Sequence, residues 1–168
     1  MRIRPYISAL DFDEIKNWIT DERTHALWCA NLTPYPLRKK EFEEMLEEFS
    51  VKYKDSPYVA TTKEGEPVGF FCYSVNTDTN EGMLRFIMVA PKYRNRGYGR
   101  EMLTLAVKYG FEITKADAIQ LNVFSKNTAA KKCYASVGFA ERTNTEKAFS
   151  FNDEMWGRCN MVIKSCVL

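Results

Sequence analysis

The strongest chemical signal in the chain lies in residues 84–105, LRFIMVAPKYRNRGYGREMLTL. An apolar stretch runs to Pro91, a basic glycine turn follows from Arg94 to Gly99, and an amphipathic stretch starts at once. Gly97 and Gly99 let the backbone turn tightly and come close to a ligand. The first amides of a helix lack internal partners, and together with the helix dipole they attract an anion. Lys92, Arg94, Arg96 and Arg100 add positive charge around that point, which suits a pyrophosphate. A plain glycine turn capping a surface helix fits the same two glycines. The sequence has neither the Walker pattern G-x-x-x-x-G-K-[ST] nor the fingerprint G-x-G-x-x-G after an initial strand.

Other chemistry is thinly represented. The single histidine, His25, follows Thr24 in a short polar segment with no nucleophile elbow in the chain, and it is expected at the surface or as a cap. The five cysteines, at 29, 72, 133, 159 and 166, are odd in number and form no C-x-x-C pair. They read as free thiols of a reducing cytoplasm, and no metal site is expected from them.

The elements around the glycine turn follow from periodicity and breakers. Residues 2–7 read as a short strand. Asp11 stands as the N-cap of a helix carrying Phe12, Ile15, Trp18 and Ile19 at helical spacing. Residues 20–37, with Trp28 and ending in Pro34 and Pro36, read as a loop or broken helix. Residues 38–51 form an amphipathic helix with Phe42, Met45, Leu46 and Phe49 on one face and five glutamates on the rest. Three strands, 58–62, 68–75 and 84–89, should make an antiparallel meander. A helix over 99–115 buries Met102, Leu103, Ala106, Val107, Gly110 and Ile113. Then come a strand at 118–124, a helix at 128–137 and two strands at about 139–150 and 156–164. The order β-α-α-β-β-β-α-β-α-β-β describes one α/β domain over residues 1–168 with a mixed sheet.

Composition bounds the function. The 168 residues are 45% hydrophobic and 14% aromatic, enough for a real core. Lys and Arg number 24 against 22 Asp and Glu, a net charge of +2, which argues against nucleic acid or an anionic membrane as main partner. The longest strongly apolar run, residues 68–75, is far short of the roughly 20 residues of a membrane helix. No apolar leader follows Met1, so a cytoplasmic location is expected.

The basic turn R-x-x-G-x-G after a strand ending in hydrophobics and Pro91 resembles the acetyl-CoA loop of the GNAT acetyltransferase superfamily. Downstream, Asn127-Thr-Ala-Ala-Lys-Lys-Cys-Tyr-Ala-Ser-Val-Gly-Phe139 resembles that family's second signature, N-x-x-A-x-x-x-Y-x-x-x-G-F, at a fitting separation. The resemblance covers the element order over residues 1–164. It implies the GNAT α/β fold, a mixed and mostly antiparallel sheet of six to seven strands with helices on both faces. It also implies transfer of an acetyl group from acetyl-CoA to a primary amine of a small molecule or peptide, by direct attack in a ternary complex. The amides of Arg94, Asn95, Arg96, Gly97, Tyr98, Gly99 and Arg100 would then bind the pyrophosphate, and Met88 and Val89 the pantetheine arm. A splay between their strand and 118–124 would admit the thioester, with Asn127 and Ala130 beside the cofactor and Lys131 or Lys132 within reach of its phosphates.

Tyr134 then becomes the general acid. The departing CoA thiolate needs a proton, and a phenol with pKa ~10 carries one at neutral pH. The base is not marked: some GNAT enzymes carry a glutamate five residues before the asparagine, and Asn122 occupies that position here. Glu22, Glu81 and Glu154 are candidates, as is proton loss to a water chain. Cys133 beside Tyr134 invites a ping-pong thiol route, but no histidine is near it in sequence. Trp18, Glu22, Trp28 and Arg85 are the candidate acceptor residues. The competing class is a non-catalytic acyl-CoA sensor. Monomer and homodimer are both compatible with the sequence.

Overall fold

A computed structural model describes residues 1–165. Its elements in chain order are β1 (Arg2–Pro5), α1 (Ser8–Lys16), α2 (Glu22–Cys29), α3 (Lys39–Tyr53), β2 (Ser56–Thr61), β3 (Pro67–Asn76) and β4 (Glu81–Val89). A single 3₁₀ turn at Pro91–Tyr93 leads to α4 (Tyr98–Glu112), β5 (Ala118–Phe124), α5 (Thr128–Val137), β6 (Ala140–Phe151) and β7 (Glu154–Lys164). The strands form one sheet in the order β1-β2-β3-β4-β5-β7-β6. Only β4 and β5 run parallel; the other neighbours are antiparallel. This is the mixed, mostly antiparallel α/β sheet that the resemblance implies, with β2-β3-β4 as the expected meander.

Each face of the sheet carries its own core. Met102, Leu103, Ala106 and Val107 of α4 pack with Leu84, Ile119, Leu121 and Tyr134 on one side. Phe12, Ile15, Phe42, Met45 and Leu46 of α1 and α3 pack with Phe70, Cys72 and Phe86 on the other. Helix α4 sits tightly on the sheet at Gly110. A Cβ there would collide with the Ile119 Cδ1 and stand 3.0 Å from the Tyr73 hydroxyl, so glycine lets the helix settle with neither side chain moved.

Four local expectations are corrected. Asp11 is not an N-cap: α1 begins three residues earlier, and the Asp11 carboxylate, fully buried, accepts from both Arg4 guanidinium nitrogens (2.7 and 2.6 Å) and from the Ile7 amide (2.8 Å). The segment after Ile19 contains a complete two-turn helix, α2, capped by Asp21, whose side chain accepts from the Thr24 amide at 2.7 Å. Ile113 lies past the end of α4 and is exposed, because the apolar stripe stops where the helix leaves the sheet. His25 is neither surface nor cap. It is buried beneath α2, with Nε2 2.9 Å from Thr33 Oγ1 and Nδ1 3.2 Å from Asn31 Oδ1.

Cys29, Cys72, Cys133 and Cys159 are free thiols, and Cys166 lies outside the described residues. Among the described residues no helix is long and apolar enough to cross a membrane.

Candidate active site

The site begins with a fault in the sheet. Strand β4 pairs with β5 only through Glu81–Leu84 against Ala118–Leu121; beyond that point the two strands separate. On its other edge β4 carries a bulge, because Met88 pairs with Phe70 and Arg85 with Cys72, leaving Phe86 and Ile87 opposite Phe71 alone. Phe86 takes a left-handed φ of 52°, a conformation that costs a non-glycine residue about 1–3 kcal/mol. Its carbonyl accepts from the Trp28 indole nitrogen at 2.9 Å, a contact reaching across from α2. The bulge exchanges the faces of the strand. Leu84 belongs to the α4 core, whereas Phe86 and Met88 belong to the opposite one and Ile87 and Val89 turn towards α4.

Beyond the bulge, the chain passes through the 3₁₀ turn into the basic loop. Asn95 and Gly97 have φ of 59° and 83°, and Gly97 is the N-cap of α4. A Cβ at Gly97 would meet nothing within 4 Å, so the loop faces open space there. Glu101 is the first α4 residue whose amide reaches a carbonyl, that of Gly97 at 3.0 Å. Among the described residues the amides of Tyr98, Gly99 and Arg100 have no acceptor. Arg94 fixes the loop from behind: Nε donates to the Val89 carbonyl (3.0 Å) and an Nη to the Trp18 carbonyl (3.3 Å). Desolvation draws its pKa below the usual arginine value.

Helix α5 supplies the opposite side. Asn127 caps it, its side-chain oxygen accepting from the Ala130 amide at 3.2 Å. Tyr134 is buried, edge-on to Phe139 at 6.4 Å. Burial raises its pKa well above the usual phenol value, with the nearby Cys133 adding to the shift. The phenol therefore stays protonated through the neutral and mildly alkaline range.

These elements enclose a cleft of about 550 Å³. Met88, Val89, Arg94, Asn95, Gly97, Gly99, Arg100, Asn127, Ala130 and Tyr134 all line it, as does Trp28. Arg96 is exposed, and Tyr98 packs on Tyr93 at 4.7 Å; neither side chain lines the cleft. Trp18 is buried in the α1–α3 core and offers the site only its carbonyl, through Arg94. Arg85 lies on the α3 face, bonded to Asp55 (2.5 Å) and Ser74 (2.9 Å) and 4.7 Å from the Tyr53 ring centre. Glu22 is exposed at the start of α2 and does not line the cleft.

Sequence reasoning missed Thr24, Leu27 and Ile87, which line the same cleft. A signal for the first two existed in Asp21 followed by Thr24, a capping pair that marks α2.

The other two candidate bases, Glu81 and Glu154, are committed elsewhere. Glu81 sits at the first residue of β4, bound to Arg142 (2.8 Å) and Gln120 (2.6 Å). Glu154 is held by Arg23, Lys126 (3.8 Å) and the Trp156 indole (3.2 Å), and its pKa is brought down to about 2, chiefly by the Arg23 hydrogen bond. Lys131 is paired with Glu141 at 2.7 Å. Asn122 accepts from Asn160 at 3.1 Å. Cys133 lines the cleft, but burial raises its thiol pKa, and the only histidine contacts Cys29 instead.

Residues 12–139, most of the chain, match the family model for the acetyltransferase (GNAT) family. A spermidine N(1)-acetyltransferase of Vibrio cholerae is 30% identical over 66 residues. That alignment spans 39% of this chain and 38% of the relative's length. Among solved structures, spermidine N-acetyltransferase from Vibrio cholerae in complex with CoA and spermine has a TM-score of 0.81. It is 20% identical, over 97% of this chain and 94% of that one. A dodecameric structure of the Vibrio cholerae enzyme has a TM-score of 0.75 at 20% identity, over 97% and 92% of the two chains. At such identity these structures establish a shared fold.

Proposed function

Because the chain belongs to the GNAT family of acetyltransferases, we propose that it transfers an acetyl group from acetyl-CoA to a primary amine, within a ternary complex and as a single domain. One observation carries this reading: a single cleft joins the unpaired amides at the start of α4 to Tyr134 along the end of β4 that has left β5. The cleft fits the co-substrate's parts. Free amides and the guanidinium of Arg100 suit a diphosphate, the open space at Gly97 gives it room, and the diverging β4 edge at Met88 and Val89 suits an amide-bearing arm. Arg94 and Asn127 shape that wall more than they reach into it, since both are bonded to the backbone.

Acetyl-CoA supplies an activated acyl group with a thiolate leaving group. Tyr134, kept protonated by burial, donates to that sulfur as the carbon–sulfur bond breaks. The amine forms the new carbon–nitrogen bond and gives its proton to solvent at the cleft mouth. The four described free thiols support a reducing cytoplasm as its setting. Its assembly is read as monomer or homodimer, which sedimentation would separate from a larger ring.

The test is thiol release from acetyl-CoA with an amine panel. Amine-dependent release supports the reading. Binding of CoA in calorimetry with no release by any amine would favour the sensor alternative, which the lack of a carboxylate lining the cleft among the described residues keeps in view.

A further inference from the structure

We propose that the acceptor is an α-amino group next to an apolar side chain, as on a peptide N-terminus or an amino-acid amide, and not a polyamine. This rests on the acetyltransferase reading above and narrows it to a substrate class.

The first argument is the wall that α2 and the β4 bulge present. Leu27, Trp28 and Ile87 line it with apolar surface, and Thr24 adds a neutral hydroxyl. Among the described residues no carboxylate lines the cleft, whereas Arg94 and Arg100 do. The two carboxylates that open α2, and the one bound to α2 through Arg23, are occupied or averted. Asp21 accepts from the Thr24 amide and hydroxyl at 2.7 and 2.9 Å. Glu22 is separated from Thr24 by two residues, roughly 200° around the helix at ~100° each, and so lies on nearly the opposite side. Glu154 faces two cations, Arg23 and Lys126. With Arg100 turned to the diphosphate and Arg94 held by the backbone, a chain bearing several ammonium groups would find no free carboxylate on this wall, while an apolar side chain would meet its like.

Proton supply gives the second argument. Tyr134 holds its proton and so serves only as an acid, and among the described residues no side chain lining the cleft is a carboxylate that could act as base. The amine must therefore arrive neutral. A side-chain amine with pKa ~10.4 is neutral in about one molecule in 2,500 at pH 7, and an α-amine near ~7.8 in about one in seven. That difference alone favours the α-amine roughly 300-fold in reactive form.

The experiment measures kcat/KM by thiol release at pH 7 with the full chain and saturating acetyl-CoA. Its acceptors are phenylalanine amide, a short peptide with a free N-terminal phenylalanine, the same peptide N-acetylated and carrying an internal lysine, and spermidine. The free α-amines should exceed both the blocked peptide and spermidine by at least about 10-fold. In Leu27→Glu, which places a carboxylate on the α2 wall, the spermidine-to-peptide ratio should rise by about 5-fold or more. Equal or faster turnover of spermidine by the unaltered protein would overturn the α-amine assignment and leave acetyl transfer standing. Release with none of the four, despite CoA binding, would overturn acetyl transfer itself.

Discussion

The two walls of the cleft are made in different ways. The wall built from the end of β4, the basic loop, α4 and α5 comes from one run of chain, residues 88–136, and its polar groups are mostly backbone amides and caps. The other wall is assembled from afar. Trp28 of α2 reaches the Phe86 carbonyl 58 positions later, and Arg23 reaches Glu154 131 positions later. A local wall suits a ligand whose diphosphate is constant; a wall made of distant side chains can change without disturbing it.

Replacements should separate the two. Tyr134→Phe, at their junction, is expected to lower kcat about 100-fold or more while the CoA dissociation constant by calorimetry moves less than about 3-fold. In the unaltered protein, kcat/KM should rise with pH until the acceptor amine is deprotonated, with no alkaline fall from Tyr134 below about pH 10, since burial raises its pKa. An unchanged kcat in Tyr134→Phe would erase the junction.

On the local wall, Gly97→Val forces a branched residue to a φ of 83°, costing about 1–2 kcal/mol, and fills the open space. CoA affinity should fall about 10-fold or more, equally for every acceptor. On the distant wall, Trp28→Phe keeps an aromatic ring, a smaller one, and removes the bond to Phe86, worth about 1 kcal/mol. We expect kcat to drop about 5-fold with CoA affinity retained. A CoA defect in Trp28→Phe matching that in Gly97→Val would show that the walls are not independent.

The smallest effect concerns what lies behind α2. Burial holds the His25 pKa below its ordinary 6.5, so the unfolded chain takes up a proton that the folded chain refuses. This contribution to stability is full above about pH 6.5 and declines as the pH falls below it. Melting curves of His25→Gln should show a shallower loss of stability between pH 6.5 and 5 than the unaltered protein, even if the starting stability is about 1–3 kcal/mol lower.

The same division explains what could be read in the sequence. Strand β5 and helix α5 begin and end where periodicity and Asn127 place them, because their caps are local. The glycine loop was equally legible. Trp28 was found as a residue type, but its neighbours on α2 were not, because two turns of helix carry little propensity and hold through contacts with β4. Arg85 misleads for another reason. Alternation with Leu84 sends it to the α3 face, and the bulge opposite Phe71 follows it, so the parity of the cleft-lining end of β4 does not carry back to Arg85. Asp11 has the right residue type for a cap, yet Arg4 claims its carboxylate through tertiary contact.

The close seat of Gly110 on Ile119 and Tyr73 gives α4 a fulcrum. It lies twelve residues, about 18 Å, from Tyr98 at the start of the helix. Any bulk wedged beneath that point would swing the far tip like a lever arm. A methyl group in place of that hydrogen would have to displace either Ile119 or the helix, and in the second case it would turn the exposed amides without touching the ligand.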